Sequence, residues 1–147
     1  MSSHKESRIV PYTADLMYSI VADVEKYPQF LPWVAGLRVL GGAREGDREI
    51  IVAEMLVGFR ALRERYTSRV VLNANARTID VAQTEGAFRK LENHWRFTPE
   101  GDGCRVDFSI VFEFKNKLLN AVAAKSFAHV LTRMSHAFEE RAKELSA

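Results

Sequence analysis

The sequence FAHVLTRMSHAFEERAKEL, residues 127–145, carries an apolar side chain at every third or fourth position of an otherwise charged segment. This spacing places the apolar side chains on one face of an α-helix, so Lys117 to Ala147 is predicted to form one long closing helix. The apolar stripe consists of Phe127, Leu131, Met134, Phe138, Ala142 and Leu145. Such a helix needs an apolar surface to cover, which the earlier part of the chain must supply.

The chain between Arg48 and Phe114 alternates apolar and polar residues at period two, which predicts strands that are apolar on one face. Turn signals separate the strands, first Gly41, Gly42, Gly46 and Asp47 and later PEGDG at 99–103. The fold class predicted is α+β, a curved antiparallel sheet of six to seven strands wrapped around a long C-terminal helix. The predicted inward-facing residues are Ile51, Ala53, Met55, Val57, Phe59, Leu62, Glu64, Tyr66, Ser68, Val70, Arg89, Leu91, Asn93, Trp95, Phe97, Val106, Phe108, Ile110, Phe112 and Phe114.

The first third of the chain is predicted to hold shorter elements. Arg8 to Tyr12 is predicted to form a first strand. Thr13 has a side-chain hydroxyl that is suited to cap the N-terminus of a helix that follows it. The segment YPQFLPWV, residues 27–34, contains two prolines and several large apolar residues. It is therefore expected to form a short helical turn that packs against the core, followed by a strand from Val34 to Leu40.

Composition sets broad limits on function. The 147 residues are 47% apolar and are expected to form one domain over 1–147, and 21 basic against 19 acidic residues give a net charge of +2, which does not indicate DNA binding. The single Cys104 indicates a reducing compartment and a packing role. The start MSSHKESRIV lacks the apolar core of a signal peptide, so we expect a soluble, cytoplasmic protein.

The sequence lacks the usual catalytic motifs. It has no Gly-rich phosphate loop, no HExxH, no paired Cys and no GxSxG elbow, and His129 and His136 lie seven positions apart, a poor spacing for one metal ion. We therefore expect a protein that is not an enzyme, with no catalytic residue and no metal site.

The inner face of the sheet is rich in aromatic rings, which form either ordinary core or the wall of an apolar ligand pocket. Small residues at Ala121, Ala123 and Ala124 thin the first half of the closing helix and leave room for a cavity. The polar residues Glu64, Arg89 and Asn93 share this face; they either satisfy one another, Glu64 with Arg89 for instance, or contact a ligand headgroup. The predicted ligand-binding residues are Val57, Phe59, Leu91, Trp95, Phe112, Leu118 and Val122, with Phe30, Leu31 and Trp33 at the entrance.

Four strings carry a resemblance to a known family. They are VADVEKYPQFLPWV, AEMLVGFRALRERYTSRV, EGAFRKLENHWRFTPEGDGCRVDFSIVFEF and AFEERAKEL. From about Ser7 to Leu145 the chain resembles the coenzyme-Q-binding branch of the START-type, polyketide cyclase/dehydrase-like, helix-grip family, which also includes bacterial ribosome-association toxins. The specific motif is Asp23, Val24, Tyr27, Pro28, Phe30, Leu31, Pro32 and Trp33. One departure is Gly86-Ala87-Phe88, where the family usually has Gly-Pro-Phe.

The resemblance implies a lipid-binding domain with the helix-grip fold and no catalytic cofactor. Its cavity is expected to hold a ubiquinone-like lipid, a quinone or another isoprenoid, as a chaperone in respiration or quinone synthesis, with transient contact at the inner face of a membrane. The alternative is a toxin that binds the large ribosomal subunit and blocks subunit joining, for which Arg63, Arg65 and Arg69 are the candidate basic surface. A cyclase-type enzyme ranks third, because it needs an acid–base pair that only Glu64 and Arg89 would supply.

Overall fold

A computed structural model describes residues 1–59 and 62–146 of the chain. Residues 60, 61 and 147 lie outside the described part, as do the side chains of Phe59, Leu62 and Phe127. In the described residues, no helix is both long enough and apolar enough to span a bilayer.

The described chain forms one antiparallel sheet of seven strands in the order β1-β7-β6-β5-β4-β3-β2. The strands are β1 (Ser2–Val10), β2 (Val34–Glu45), β3 (Arg48–Phe59), β4 (Leu62–Asn73), β5 (Thr78–Gly86), β6 (Phe88–Glu100) and β7 (Gly103–Phe114). The ladders from β2 to β7 join strands that follow one another in sequence, and β1 completes the sheet by pairing with β7. This arrangement confirms the predicted α+β class and the predicted number of strands.

Three α-helices accompany the sheet: α1 (Ala14–Ala22), α2 (Tyr27–Phe30) and α3 (Lys117–Ser146), with a 3₁₀ turn at Val24–Lys26 before α2. The predicted N-cap of α1 is confirmed, because Thr13 Oγ1 accepts a hydrogen bond of 3.1 Å from the backbone N–H of Leu16. Pro28 lies in the first turn of α2, and Pro32 follows the helix closely. The helix is therefore as short as the prolines predict.

Two strand boundaries differ from the prediction. The first strand is Ser2–Val10 instead of Arg8–Tyr12, because its polar residues pair along the whole of β7, and His4 is therefore in the sheet. Gly41 and Gly42 lie inside β2 instead of in a turn. The hairpin turns at Gly46 and Asp47, where Gly46 has a φ of +61° that favours glycine.

The long helix α3 covers the concave face, and its stripe is confirmed at Leu131, Phe138 and Ala142, which are buried. The ring of Phe138 lies edge-on to Tyr27 and Trp95 at centroid distances of 5.6 and 5.4 Å. Leu145, by contrast, is 53% exposed, because Ala142 is the last buried residue of α3 and the helix then extends past the core.

The pairing of β5 with β6 is short and ends in a side-chain contact. The ladder joins five residues of each strand, from Thr78 to Ala82 on β5. Beyond it, the Gln83 amide donates to the carbonyl oxygen of Phe88 at 2.7 Å and accepts from the Phe88 N–H at 2.9 Å. One side chain therefore links the two strands where their backbones no longer pair.

Candidate functional site: an apolar cavity under the closing helix

A cavity of about 310 Å³ lies between the concave face of the sheet and α3. Strands β3 to β7 supply most of its wall, and the 24–37 segment and α3 complete it. The lining is mainly aliphatic and aromatic. Ligand pockets in proteins have this composition and volumes of about 300–1,000 Å³, so the cavity lies at the small end of that range.

Nine of the residues predicted from the sequence lie in the cavity wall. They are Leu31, Trp33, Val57, Glu64, Leu91, Asn93, Trp95, Phe112 and Val122. Strand parity brings most of them together, because every second residue of β3, β4, β6 and β7 faces the helix. Phe59, also predicted, has its side chain outside the described residues.

Arg89 does not reach the cavity, which corrects its predicted headgroup role. Phe88 pairs with Phe114 and Lys90 pairs with Glu113, so Arg89 is the extra residue of a β-bulge. The bulge turns Phe88 inward and Arg89 outward, where its guanidinium lies 3.5 Å from the carboxylate of Glu113. A Glu64–Arg89 pair therefore does not form.

Leu118 and Phe30 also lie outside the cavity wall. Asn116 Oδ1 accepts from the backbone N–H groups of Leu118 and Leu119 at 2.9 and 3.0 Å, which fixes the first turn of α3. In that phase Leu119 is buried and lines the cavity, whereas Leu118 is 75% exposed. Phe30 packs in the core instead, 5.4 Å from the ring of Phe138 and under the Arg141 guanidinium.

The small residues of α3 also differ in whether they face the cavity or solvent. Ala123 lines the cavity and packs against the buried cluster of Phe88, Leu91 and Phe112. Ala121 and Ala124 are exposed, so they do not supply cavity volume as the sequence analysis expects. Of these three alanines, only Ala123 leaves space over the cavity.

Sequence reasoning omitted several lining residues from the predicted site. The clearest are Ser68, Phe88, Leu119 and Ser126. Ser68 shares the parity of Glu64 and was recoverable from the alternation in β4. Phe88 was not, because a bulge breaks the alternation, and the helix residues depend on where the Asn116 cap starts α3.

Two buried polar atoms lack partners in the described residues, Ser68 Oγ and Asn93 Oδ1. Both residues line the cavity, on β4 and β6, the strands on either side of β5, and Ser68 is only 5% exposed. Buried polar atoms in proteins nearly always have a hydrogen-bond partner. A ligand with polar groups would satisfy both atoms.

The Tyr66 phenol is a buried titratable group of the cavity wall. Burial raises its pKa to about 12, so the phenol remains protonated at neutral pH. Its hydroxyl donates to Met55 Sδ at 3.1 Å, and its ring lies 5.1 Å from that of Phe88. The phenol is thus a fixed part of the wall with its donor already engaged.

Among the described residues, no group of three or more His, Cys, Asp or Glu side chains is placed to hold a metal ion. Cys104 is buried on β7, away from the cavity lining, and burial raises the pKa of its thiol. Its environment is that of a packing residue.

The chain matches a known family over residues 10–139, described as "Polyketide cyclase / dehydrase and lipid transport". The chain belongs to this family. The matched range includes the sheet from β2 to β7, the proline-bounded segment before it and most of α3, so it covers every described element of the cavity wall. The family resemblance stated from the sequence is confirmed.

Three similar proteins carry different names. The ribosome association toxin RatA of Escherichia coli K12 is 36% identical, over 99% of this chain and 89% of the toxin. The mitochondrial coenzyme Q-binding protein COQ10 homolog B of Xenopus laevis is 35% identical over 95% of this chain, which spans 57% of that protein. The solution structure of the 18 kDa protein CC1736 from Caulobacter crescentus is 41% identical, with a TM-score of 0.85 and 99% of both chains covered.

Proposed function

We propose that this protein binds a ubiquinone-like lipid in the cavity and does not transform it. The observation that carries the proposal is the apolar cavity with two buried, unpartnered polar atoms, Ser68 Oγ and Asn93 Oδ1. An apolar wall with a few placed polar groups suits a ligand that is largely hydrocarbon with a polar head.

The two polar side chains complement a quinone headgroup in either redox state. The Ser68 hydroxyl is a donor for a quinone carbonyl, and Asn93 Oδ1 is an acceptor for the hydroxyl of a quinol. Phe88, Trp95 and Phe112 offer ring faces and edges to a flat headgroup. A volume of about 310 Å³ suits the headgroup and the first part of an isoprenoid tail, with the rest of the tail emerging past α3.

The chemistry of the wall supports the proposal of binding without turnover. Acid–base catalysis needs a group whose pKa is near the working pH and within reach of the substrate. The Tyr66 phenol has a pKa of about 12, and Glu64 lacks the Arg89 partner that a cyclase-type mechanism was expected to use. The quinone specificity draws its support from the 35% identical coenzyme Q-binding protein.

The direct test is organic extraction and native mass spectrometry of the purified protein, together with a fluorescence titration. The chain has two tryptophans, and both Trp33 and Trp95 line the cavity, so a bound quinone should quench most of the intrinsic emission. A quinone in the extract and saturable quenching by a short-chain ubiquinone support the proposal. Quenching that stays linear in quinone concentration, with no lipid extracted, contradicts it.

Ribosome association is a second candidate, and the names of the similar proteins favour it over quinone binding. RatA recurs among them from several bacteria, and its identity extends over nearly the whole of both chains. Arg63, Arg65 and Arg69 are exposed on the outer face of β4 and have no ion-pair partner among the described residues. Such a row is suited to phosphate contacts.

Sedimentation with purified large ribosomal subunits tests this second function. The double change Arg65→Gln with Arg69→Gln should lower co-sedimentation and weaken its salt dependence, because each contact to a phosphate releases a counterion. Co-sedimentation that is unaffected by both changes would remove this face as the contact. Quinone titration of the same variant should be unchanged, because both side chains point away from the cavity.

A further inference from the structure

The start of α3 exposes large apolar side chains beside the cavity. Leu118 is 75% exposed and Val122 is 41% exposed. Residues four positions apart lie on the same side of a helix, so the two side chains form one apolar spot. Val122 also lines the cavity wall, so this spot adjoins the cavity.

The same part of the helix carries positive charge and no negative charge. Between Glu113 and Glu139 the sequence holds Lys115, Lys117, Lys125 and Arg133 and no Asp or Glu. All four basic residues are exposed, and none has an ion-pair partner in the part of the chain that the structure describes. The net charge of the whole chain is only +2, so this is a local concentration.

Lysines at this place do not stabilise the helix. The first turn of a helix has a partial positive charge from its unpaired N–H groups, and Lys117 opposes it, with no acidic residue in that turn to compensate. The exposed leucine is likewise unfavourable in water. Both features become favourable against a surface that is apolar inside and negatively charged outside.

We propose that the helix-start face, formed by Lys115, Lys117, Leu118, Val122 and Lys125, docks on a membrane surface containing anionic lipid. The lysines would contact lipid phosphates while Leu118 and Val122 enter the headgroup–acyl boundary, as in interfacial amphipathic helices. The cavity wall at Val122 would then lie beside the bilayer, from which a lipid ligand has to come. An RNA surface would engage the lysines but would gain nothing from the two aliphatic side chains.

The test is co-sedimentation with vesicles of phosphatidylcholine alone and of phosphatidylcholine with phosphatidylglycerol, without any quinone. The parent chain should bind the anionic vesicles and release them at high salt. Lys117→Gln with Lys125→Gln should weaken binding roughly 25-fold, at about fivefold for each charge near the surface. Leu118→Ser should weaken it about tenfold through lost apolar burial. The matched control is Arg65→Gln with Arg69→Gln, which removes the same charge from the outer face of β4 and should bind as the parent does.

Three outcomes would overturn the proposal: equal binding to both vesicle types, no binding to either, or an equal loss in the lysine pair and the arginine pair. Loss of large-subunit binding in the lysine pair, with Leu118→Ser unaffected, would assign this face to RNA instead. The inference does not depend on the identity of the ligand, because the vesicles carry no quinone. Leu118 and the lysines lie outside the cavity wall, so a failure of quinone binding would appear separately in the fluorescence titration.

Discussion

Ser135 of α3 donates a hydrogen bond of 2.6 Å to Glu6 Oε1 on β1, 129 positions away in sequence. His4 Nε2 lies 3.1 Å from the other carboxylate oxygen of Glu6, and Arg8 forms an ion pair with Glu139 of α3. The inner side of this edge strand is therefore polar. It joins α3 through hydrogen bonds and charges, whereas the centre of the sheet meets the helix through apolar side chains.

Glu6→Gln should make stability depend less on pH. Burial raises the pKa of Glu6, but the hydrogen bonds from Ser135 and His4 and the charges of His4 and Arg8 outweigh it, so the pKa lies below its ordinary value of 4.5. The unfolded chain then binds more protons, and the contribution of Glu6 is complete above 4.5 and lost as the pH falls through the folded-state pKa. Urea melts should show a loss of about 1 kcal/mol at neutral pH that shrinks in acid. A loss that is constant with pH would contradict the assignment.

Ser68→Ala should weaken ligand binding without weakening the fold. Its buried hydroxyl has no hydrogen-bond partner among the residues that the structure describes, so its removal should cost no hydrogen bond in the free protein, while a contact to the ligand headgroup worth about 1 kcal/mol is lost. The matched control is Ser135→Ala, a buried serine whose partner is Glu6. The control should lower the free energy of unfolding and leave quinone affinity unchanged. The reverse pattern in melts and titrations would place the headgroup elsewhere.

Ala123→Phe should fill the cavity and abolish quenching by a quinone. Ala123 lines the cavity beside Leu91 and Phe112, so the added ring occupies ligand volume and finds apolar neighbours. Ala124→Phe places the same ring in solvent on the next residue and should bind quinone as the parent does. Phenylalanine is used instead of tryptophan so that Trp33 and Trp95 still supply the fluorescence that the quinone quenches. Undiminished quenching in a folded Ala123→Phe variant would show that the ligand site lies outside this cavity.

Phe138→Ala should destabilise the protein by about 3–5 kcal/mol. Phe138 is 3% exposed and its ring contacts Tyr27, Phe30 and Trp95, so truncation leaves a void where the helix meets the sheet. Leu145→Ala on the same predicted stripe should cost less than about 0.5 kcal/mol, because that side chain is already largely in water. Similar losses in thermal melts of the two variants would be inconsistent with the position of the core.

The fold was accessible from sequence because its two periodicities extend over most of the chain. Alternation in β3, β4 and β7 correctly predicted the inward position of Met55, Glu64 and Phe112. Prediction failed where a local feature changes which residues of a strand or helix face the cavity. The bulge in β6 turns Arg89 outward, and the Asn116 cap starts α3 so that Leu118 is exposed. It also failed for β1, whose polar residues show no apolar pattern and are ordered by pairing with β7.

The Gln83 contact has a consequence for the range of ligands that one scaffold can accept. The five-residue ladder between β5 and β6 joins two parts of the sheet, β1-β7-β6 on one side and β5-β4-β3-β2 on the other, and the amide of Gln83 links the two strands again beyond the end of that ladder. Val81 and Asn93 line the cavity on opposite sides of this ladder. Gln83 therefore holds the backbone of Phe88, a residue of the cavity wall, and a shorter side chain at position 83 should change the shape of the wall at that point while the β5–β6 ladder stays intact.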